Sequence, residues 1–220
     1  MPESRRCVIV AAGPHCCPAF LRSQLFEDDY IIALDGGSLL LAAVGIRPHS
    51  VLGDLDSLNA STRAQLLGEA SELLVHPQEK EKTDAQLALE LAAERGYTRV
   101  TMYAALGGRI DHTLANIQLV EAYHQKGMDL ELVDERGWVR ALGTGQHLEF
   151  PAAPGSVVSL IPLTPAVVGV SIRGLKYELT DAVLYRGDTL GISNAGLGQK
   201  ARVTIGHGCV LITLLIPPSP

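Results

Sequence analysis

Residues 30–45, YIIALDGGSLLLAAVG, decide the fold of this chain. Tyr30–Leu34 is apolar nearly throughout, which is typical of a strand covered on both faces. Asp35-Gly36-Gly37 follows at once, and Gly37–Val44 is predicted to form a helix that ends at Gly45, a residue type favoured after a helix C-terminus. A buried strand, a short turn and a helix in this order form the repeating unit of a parallel α/β sheet.

The same alternation continues as far as Glu135. Further strands are predicted at Cys7–Ala12, Ser50–Leu52, Leu73–Val75, Val100–Leu106 and Leu130–Val133. Further helices are predicted at Asn59–Ala70, Thr83–Arg95 and His112–Lys126, with Gly96 and Gly127 at C-terminal cap positions. Thr83 and Gln86 match a capping box at the start of the second of these helices.

The pattern changes after residue 135, because the rest of the chain shows short apolar runs separated by Gly, Pro and Asn-Ala-Gly turns. Strands are predicted at His147–Phe150, Ser156–Ile161, Val167–Ile172, Ala182–Tyr185, Ala201–Ile205 and Cys209–Ile216. This spacing favours an antiparallel sandwich or a small barrel. The predicted fold class is therefore α/β plus all-β, with an α/β domain at 1–135, a β-sandwich domain at 136–220 and a junction near Glu135–Trp138.

Composition and charge narrow the class of protein. The chain is 47% hydrophobic and 19% charged, which is typical of a folded globular protein and not of a disordered one. A net charge of −6 argues against a nucleic-acid partner, whose binding surfaces are normally basic. No apolar run reaches the roughly 18 residues of a membrane span, and no signal peptide is evident. The four cysteines form no CxxC pair, so we expect reduced thiols and a cytoplasmic location.

Acidic motifs stand where predicted strands end or the next helix begins. They are Asp35-Gly36-Gly37, Gly53-Asp54-Leu55-Asp56-Ser57, Lys80-Glu81-Lys82-Thr83-Asp84 and Gly107-Gly108-Arg109-Ile110-Asp111-His112. Ligands bind beyond the carboxyl ends of the strands in open parallel sheets, so the fold predicts that these motifs converge at one edge. Clustered carboxylates persist where a cation neutralises them, and Mg²⁺ prefers oxygen ligands. Lys80 and Arg109 are residue types that hold phosphate, so metal plus phosphate is the working hypothesis.

Each motif also has a purely structural interpretation. Asp54 and Asp56 point the same way in extended backbone and favour a shared metal, but both could instead bond the amides of a local turn. Asp84 could be a helix-start acid, and Asp111 could be an N-cap with His112 exposed and idle beside it.

The basic residues and the glycine pair have structural alternatives as well. Lys80–Lys82 could be a solvated charge run, and Arg109 could pair with a nearby acid. Gly107-Gly108 suits a phosphate cradle or any tight turn. No GxxxxGK[ST] motif occurs, and Ala11-Ala12-Gly13-Pro14 does not match a dinucleotide fingerprint.

The ordered set of motifs resembles the thiamine pyrophosphokinase (thiamine diphosphokinase) family. That family shows Asp-Gly-Gly, Gly-Asp-x-Asp-Ser, Lys-Asp-x-Thr-Asp and Gly-Gly-Arg-x-Asp-His in this order. Segments from its β domain are similar to Ser159–Pro162, Gly174–Tyr177 and Gly191–Asn194, so the similarity covers nearly the whole chain. One position departs from the pattern, because Glu81 stands where the family has Asp.

The resemblance implies a function and a division of labour. It implies ATP-dependent pyrophosphoryl transfer to the hydroxyl of thiamine, giving thiamine diphosphate and AMP, in a homodimer whose active site lies at the subunit interface. ATP would meet the α/β domain at Asp35, Lys80, Glu81, Arg109 and His112, and thiamine would meet Ser193 and Asn194. Mg²⁺ would be held by Asp54, Asp56 and Asp84, and these acids together with Arg109 and Asp111 form the expected catalytic set.

Three matters stay open at this stage. Either Asp35 or Asp111 could orient the attacking hydroxyl, and either Trp138 or Tyr177 could flank the rings of thiamine. The alternatives in function are a Mg²⁺-dependent phosphohydrolase and a catalytically silent sensor of thiamine or nucleotide. The near-complete set of acids weighs against loss of activity.

Overall fold

The structure is a computed structural model that describes residues 5–53, 72–75 and 81–217. Asp54, Asp56, Lys80 and the predicted helix Asn59–Ala70 lie outside the described residues. The chain forms two compact units, one of Met1–Leu119 with Lys126–Glu135, and the other of Val120–Gln125 with Arg136–Pro220. Within the described residues, no helix combines the length and the apolar character that crossing a bilayer requires.

The first unit carries a parallel sheet. Its strands are β1 (Cys7–Val10), β2 (Tyr30–Leu34), β3 (Ser50–Gly53), β4 (Glu72–Val75), β5 (Arg99–Tyr103) and β6 (Asp129–Asp134). They lie in the order β6-β5-β1-β2-β3-β4, and each neighbouring pair is parallel. The helices are α1 (Pro18–Gln24), α2 (Gly37–Ala43), α3 (Asp84–Glu94) and α4 (Ile110–Gln125).

Local sequence signals explain several element boundaries. Thr83 caps α3, because its hydroxyl accepts a hydrogen bond from the Gln86 backbone N–H at 3.3 Å, while the Gln86 amide donates to Glu90 at 3.1 Å. Gly45, Gly96 and Gly127 all have positive φ, as expected of residues that follow helix ends.

Three described elements were not predicted: helix α1, the strand Gly137–Leu142 and the two-residue strand Asn194–Ala195. Helix α1 begins with Pro18, and Cys17 caps it by accepting a hydrogen bond from the Phe20 N–H through its sulfur at 3.5 Å. Its seven residues are too few to show helical periodicity. Strand β7 (Gly137–Leu142) includes Trp138 and follows β6 after a short turn, and the two units divide between Glu135 and Arg136, near the predicted junction.

The second unit is an antiparallel sandwich. Its remaining strands are β8 (His147–Ala152), β9 (Val157–Pro162), β10 (Ala166–Arg173), β11 (Leu179–Tyr185), β12 (Asn194–Ala195), β13 (Gln199–Thr204) and β14 (Val210–Leu215). One layer runs β12-β9-β14-β7, and the other runs β11-β10-β13-β8. Val158 and Ile212 from the first layer share one buried core with Ile172 and Val203 from the second. The predicted α/β plus all-β fold class is confirmed, with a sandwich and not a barrel.

Candidate functional site

Asp35 lies against the end of β3. Its backbone N–H donates to Leu52 O at 3.0 Å, and its φ of 25° is in a region that non-glycine residues rarely adopt. A Cβ added at Gly53 would lie 2.5 Å from Asp35 Cγ, so only glycine leaves room for this carboxylate. Because Asp54 follows Gly53 in the chain, the Asp35 carboxylate lies beside the start of the second acidic motif.

The glycines after Asp35 let α2 approach the neighbouring strand. A Cβ at Gly37 would lie 2.7 Å from the carbonyl carbon of Val10, the last residue of β1. A Cβ at Gly36 would lie 2.9 Å from Ala12 Cβ. The Asp-Gly-Gly motif therefore holds the start of α2 against the carboxyl end of β1.

The third motif lies at the start of α3, which packs against β1, β2 and β3. Asp84 is partly buried in the first turn, and Glu81 is exposed just before the helix. The Lys82 ammonium lies 2.9 Å from both carboxylate oxygens of Glu90, so Lys82 belongs to an exposed ion pair. This arrangement fits the solvated interpretation for Lys82.

A pocket of about 220 Å³ lies where the direction of strand order reverses. The chain proceeds from β1 to β2, β3 and β4 on one side of β1, and then returns to β5 on the other side. Open α/β sheets bind ligands at the carboxyl ends of such strands. The lining is Ala11, Ala12, Gly13, Ala104, Ala105, Leu106, Gly108, Arg109, His112, Thr113 and Asn116.

The loop after β5 is shaped by close contacts. Gly107 has a φ of 78°, and a Cβ there would lie 2.6 Å from His15 Nε2. The buried Asn116 amide donates to Ala105 O at 2.8 Å, and Ala104 has a positive φ of 55°. The loop thus leads into the first turn of α4 at the pocket, where the unpaired N–H groups of a helix attract anions.

Arg109 and Asp111 form an exposed ion pair at this helix start. The guanidinium donates to the two carboxylate oxygens at 3.1 and 2.5 Å, and the side chains are 73% and 60% exposed. This hydrogen bond from Arg109 is the main cause that lowers the pKa of Asp111 to about 2. The N-cap interpretation of Asp111 is wrong, because α4 begins at Ile110 and Asp111 lies inside its first turn. Exposed pairs open at small cost, so the guanidinium remains accessible to a competing anion.

The sandwich carries a second pocket of about 260 Å³. Its lining is mostly apolar: Ile172, Tyr177, Leu179, Thr189, Leu190, Gly191, Ile192 and Asn194. Asn194 is buried, whereas the neighbouring Ser193 is exposed and has a φ of 59°. The Ser193 N–H donates to Ser159 Oγ at 3.1 Å, which ties the segment to β9.

The two aromatic candidates occupy different environments. Trp138 packs against the sandwich core and meets Phe150 edge to face, with ring centroids 5.2 Å apart. Tyr177 is 59% exposed and lines the second pocket. Of the two, Tyr177 is therefore the one placed to meet a ligand there.

Sequence reasoning missed one wall of the first pocket. Ala11–Gly13 does not match a dinucleotide fingerprint, yet it lines the pocket beside β5. A Cβ at Gly13 would lie 2.5 Å from Ala104 O, so the loops after β1 and β5 touch here. The small residues directly after the first strand were the available signal. Across the described ranges, no three His, Cys, Asp or Glu side chains cluster as a metal site; two of the three predicted Mg²⁺ ligands lie outside those ranges.

Two protein-family models match the chain. The model described as "Thiamin pyrophosphokinase, catalytic domain" matches residues 21–132. The model described as "Thiamin pyrophosphokinase, vitamin B1 binding domain" matches residues 146–210.

Similar proteins span nearly the same length. Thiamine pyrophosphokinase of Bacillus subtilis (strain 168) is 28% identical over 204 residues, which are 93% of this chain and 95% of the relative. The crystal structure of thiamine pyrophosphokinase from Bacillus subtilis has a TM-score of 0.86 at 25% identity, covering 95% of this chain and 98% of that one. That of thiamin pyrophosphokinase from Geobacillus thermodenitrificans has a TM-score of 0.83 at 27% identity, covering 97% and 99%.

Proposed function

Because this chain belongs to the thiamin pyrophosphokinase family, we propose that it transfers the pyrophosphoryl group of ATP to the hydroxyl of thiamine. The products are thiamine diphosphate and AMP. The observation that carries the proposal is the pocket at the reversal point of the parallel sheet, bordered by Arg109 and the first turn of α4. In this proposal phosphate binds at that edge, and a separate apolar pocket lies in the sandwich.

ATP binds at the sheet edge in this proposal. Arg109 and Lys80 hold the polyphosphate, and His112 lines the same pocket as Arg109. When phosphate oxygens arrive, the guanidinium of Arg109 can exchange its exposed partner Asp111 for them. Glu81 stands near the start of α3 and completes the ATP side.

The residues of the edge also fit Mg²⁺. The carboxylate of Asp35 occupies the space that a Cβ at Gly53 would fill, and Gly53 directly precedes Asp54 in the chain. The acidic motifs offer carboxylate oxygens, which are the ligands that Mg²⁺ prefers. Asp54, Asp56 and Asp84 would hold the ion. When bound, Mg²⁺ neutralises the charge of the polyphosphate.

Asp35 is our choice for the acid that orients the thiamine hydroxyl. Asp111 lies in the first turn of α4, where its side chain is 60% exposed and paired with the proposed phosphate-binding Arg109. Asp35 instead lies at the strand ends, next to the motif assigned to the metal. The chain's main contribution to the reaction is then positioning and charge complementarity and not covalent chemistry.

Thiamine binds in the apolar pocket of the sandwich, on the side of Ser193 and Asn194. The pocket combines aliphatic side chains with few polar groups, which suits two flat heteroaromatic rings. The phosphohydrolase and the silent sensor are not favoured, because the relative from Bacillus subtilis matches nearly the full length and is a pyrophosphokinase by name.

We further propose a homodimer with the active site at the subunit interface, located in the cytoplasm. The sandwich exposes large apolar side chains such as Val168, Tyr185 and Leu215, which favour a protein partner. All four cysteines are free thiols, as a reducing compartment requires. Sedimentation of the active protein at twice the chain mass of 23.4 kDa would support the dimer, and a fully active monomer would refute it.

The reaction is tested by incubating the protein with ATP, Mg²⁺ and thiamine and separating the products by chromatography. AMP and thiamine diphosphate in equal amounts are expected. ADP with thiamine monophosphate would indicate a different kinase, and phosphate release without thiamine would indicate the hydrolase. Asp54→Asn should lower kcat by roughly 10²-fold or more. Asp28→Asn, at an exposed site on the amino side of β2, is the matched control and should leave kcat unchanged.

A further inference from the structure

Asn194 fixes the backbone of one residue in the loop between β10 and β11. Its Oδ1 accepts hydrogen bonds from the Tyr177 N–H and the Ala195 N–H, both at 2.9 Å. Its Nδ2 donates to Tyr177 O at 2.6 Å. The side chain therefore holds both peptide groups of Tyr177, from a strand that pairs with β9.

These hydrogen bonds leave the side chain of Asn194 with little remaining capacity to bond a substrate. An asparagine side chain offers two acceptor lone pairs and two N–H donors. Both lone pairs and one N–H are used within the chain, and the residue is only 4% exposed. A direct hydrogen-bonding role toward thiamine would have to rely on the single remaining N–H.

The ring of Tyr177, unlike the buried side chain of Asn194, is exposed and open to a ligand. It is 59% exposed on the rim of a pocket that also contains Leu179, Leu190 and Ile192. The Lys176 ammonium lies 5.3 Å from the ring centroid, so this aromatic face already attracts a cation in the structure. Because Lys176 is exposed, a cationic ligand with a flat ring can replace its ammonium over the face.

We propose that Tyr177 is a specificity-determining residue that stacks on the cationic ring of thiamine, and that Asn194 is a positioning residue acting through Tyr177. The inference rests on the proposed function, since it names how that substrate is recognised. It assigns the recognition of the positive charge to an aromatic face and not to a carboxylate, which suits a pocket with aliphatic walls.

The test is a double-mutant cycle read by steady-state kinetics with thiamine and with ATP. Tyr177→Leu should raise the KM for thiamine about tenfold, the size of a desolvated cation–π contact, and leave the KM for ATP unchanged. Tyr177→Phe keeps the ring and should stay within about twofold of the wild type. Asn194→Ala should raise the KM for thiamine without changing that for ATP. In the Tyr177→Leu background, it should have little further effect.

Two further measurements keep the test decisive. Asn194→Asp keeps both acceptor bonds and loses the donor to Tyr177 O, so it guards against an unfolded Asn194→Ala variant and should give an intermediate KM. Tyr177→Trp should show fluorescence quenching on addition of thiamine alone.

The results that overturn the proposal are distinct from failure of the proposed function. Multiplicative effects of Asn194→Ala and Tyr177→Leu would mean that Asn194 contacts thiamine directly. An unchanged KM in Tyr177→Leu would remove Tyr177 from the site. Absence of thiamine diphosphate with the wild-type protein would instead refute the proposed function itself.

Discussion

The substitution Gly53→Ala tests whether the carboxylate of Asp35 belongs to the active edge. An added Cβ would overlap Asp35 Oδ1 and lie 2.5 Å from Asp35 Cγ, while ordinary contacts begin at 3.4 Å, so the two groups must separate by at least about 0.9 Å. The carboxylate is the movable partner, because it ends a side chain and Gly53 lies in a buried strand. A displacement of about 1 Å in a catalytic group lowers the rate by roughly 10²-fold. We therefore expect kcat to fall by about that factor.

The effect on stability should be modest and separable. Gly53 has a φ of 155°, so alanine also adds backbone strain of about 1–2 kcal/mol, which lowers the Tm by roughly 2–8 °C in a chain of this length. Gly45→Ala is the matched control, since Gly45 has a φ of 69° with no atom within 4 Å of an added Cβ. It carries the backbone strain without the clash, so it should lower the Tm less than Gly53→Ala and leave kcat unchanged.

The assay is initial-rate formation of thiamine diphosphate, combined with thermal unfolding of each variant. In an Asp35→Ala background the contact is absent, so Gly53→Ala should cost less stability there than in the wild type. A Gly53→Ala protein with near-normal kcat and a Tm shift equal to that of Gly45→Ala would refute the placement of Asp35 in the site.

Three further outcomes are expected. Because Arg109 lowers the pKa of Asp111 to about 2, the stabilisation from this pair should be fully present above pH 3.8, the ordinary pKa of Asp, and should be lost as the pH falls toward 2. In the Arg109→Gln variant, NMR titration of the carboxyl groups should show that the pKa of Asp111 has risen toward its ordinary value. Asp29→Ala breaks a buried bidentate pair with Arg6, with oxygen–nitrogen distances of 2.8 and 2.6 Å, and should cost about 3–5 kcal/mol in urea unfolding. A thiol reagent at pH 8 should modify exposed Cys17 first, as mass spectrometry would show, because burial raises the pKa to about 12, 11 and 11 in Cys7, Cys16 and Cys209.

The sequence by itself determined the class of fold and the position of most elements. Buried parallel strands must be apolar on both faces, so Tyr30–Leu34 was found with its observed bounds. Thr83 and Gly45 marked helix ends because capping is local chemistry between residues a few positions apart. The ordered acidic motifs also carried the family, since their residue types and spacing are readable without coordinates.

Only the tertiary structure decided what the side chains contact. Asn194 and Tyr177 are 17 positions apart, and their hydrogen bonds depend on how two strands and a loop fold together. Gly53 has to be glycine because Asp35 from the neighbouring strand lies against it. A single sequence records residue types and local spacing, whereas contacts between distant segments arise from the register and packing of the whole sheet.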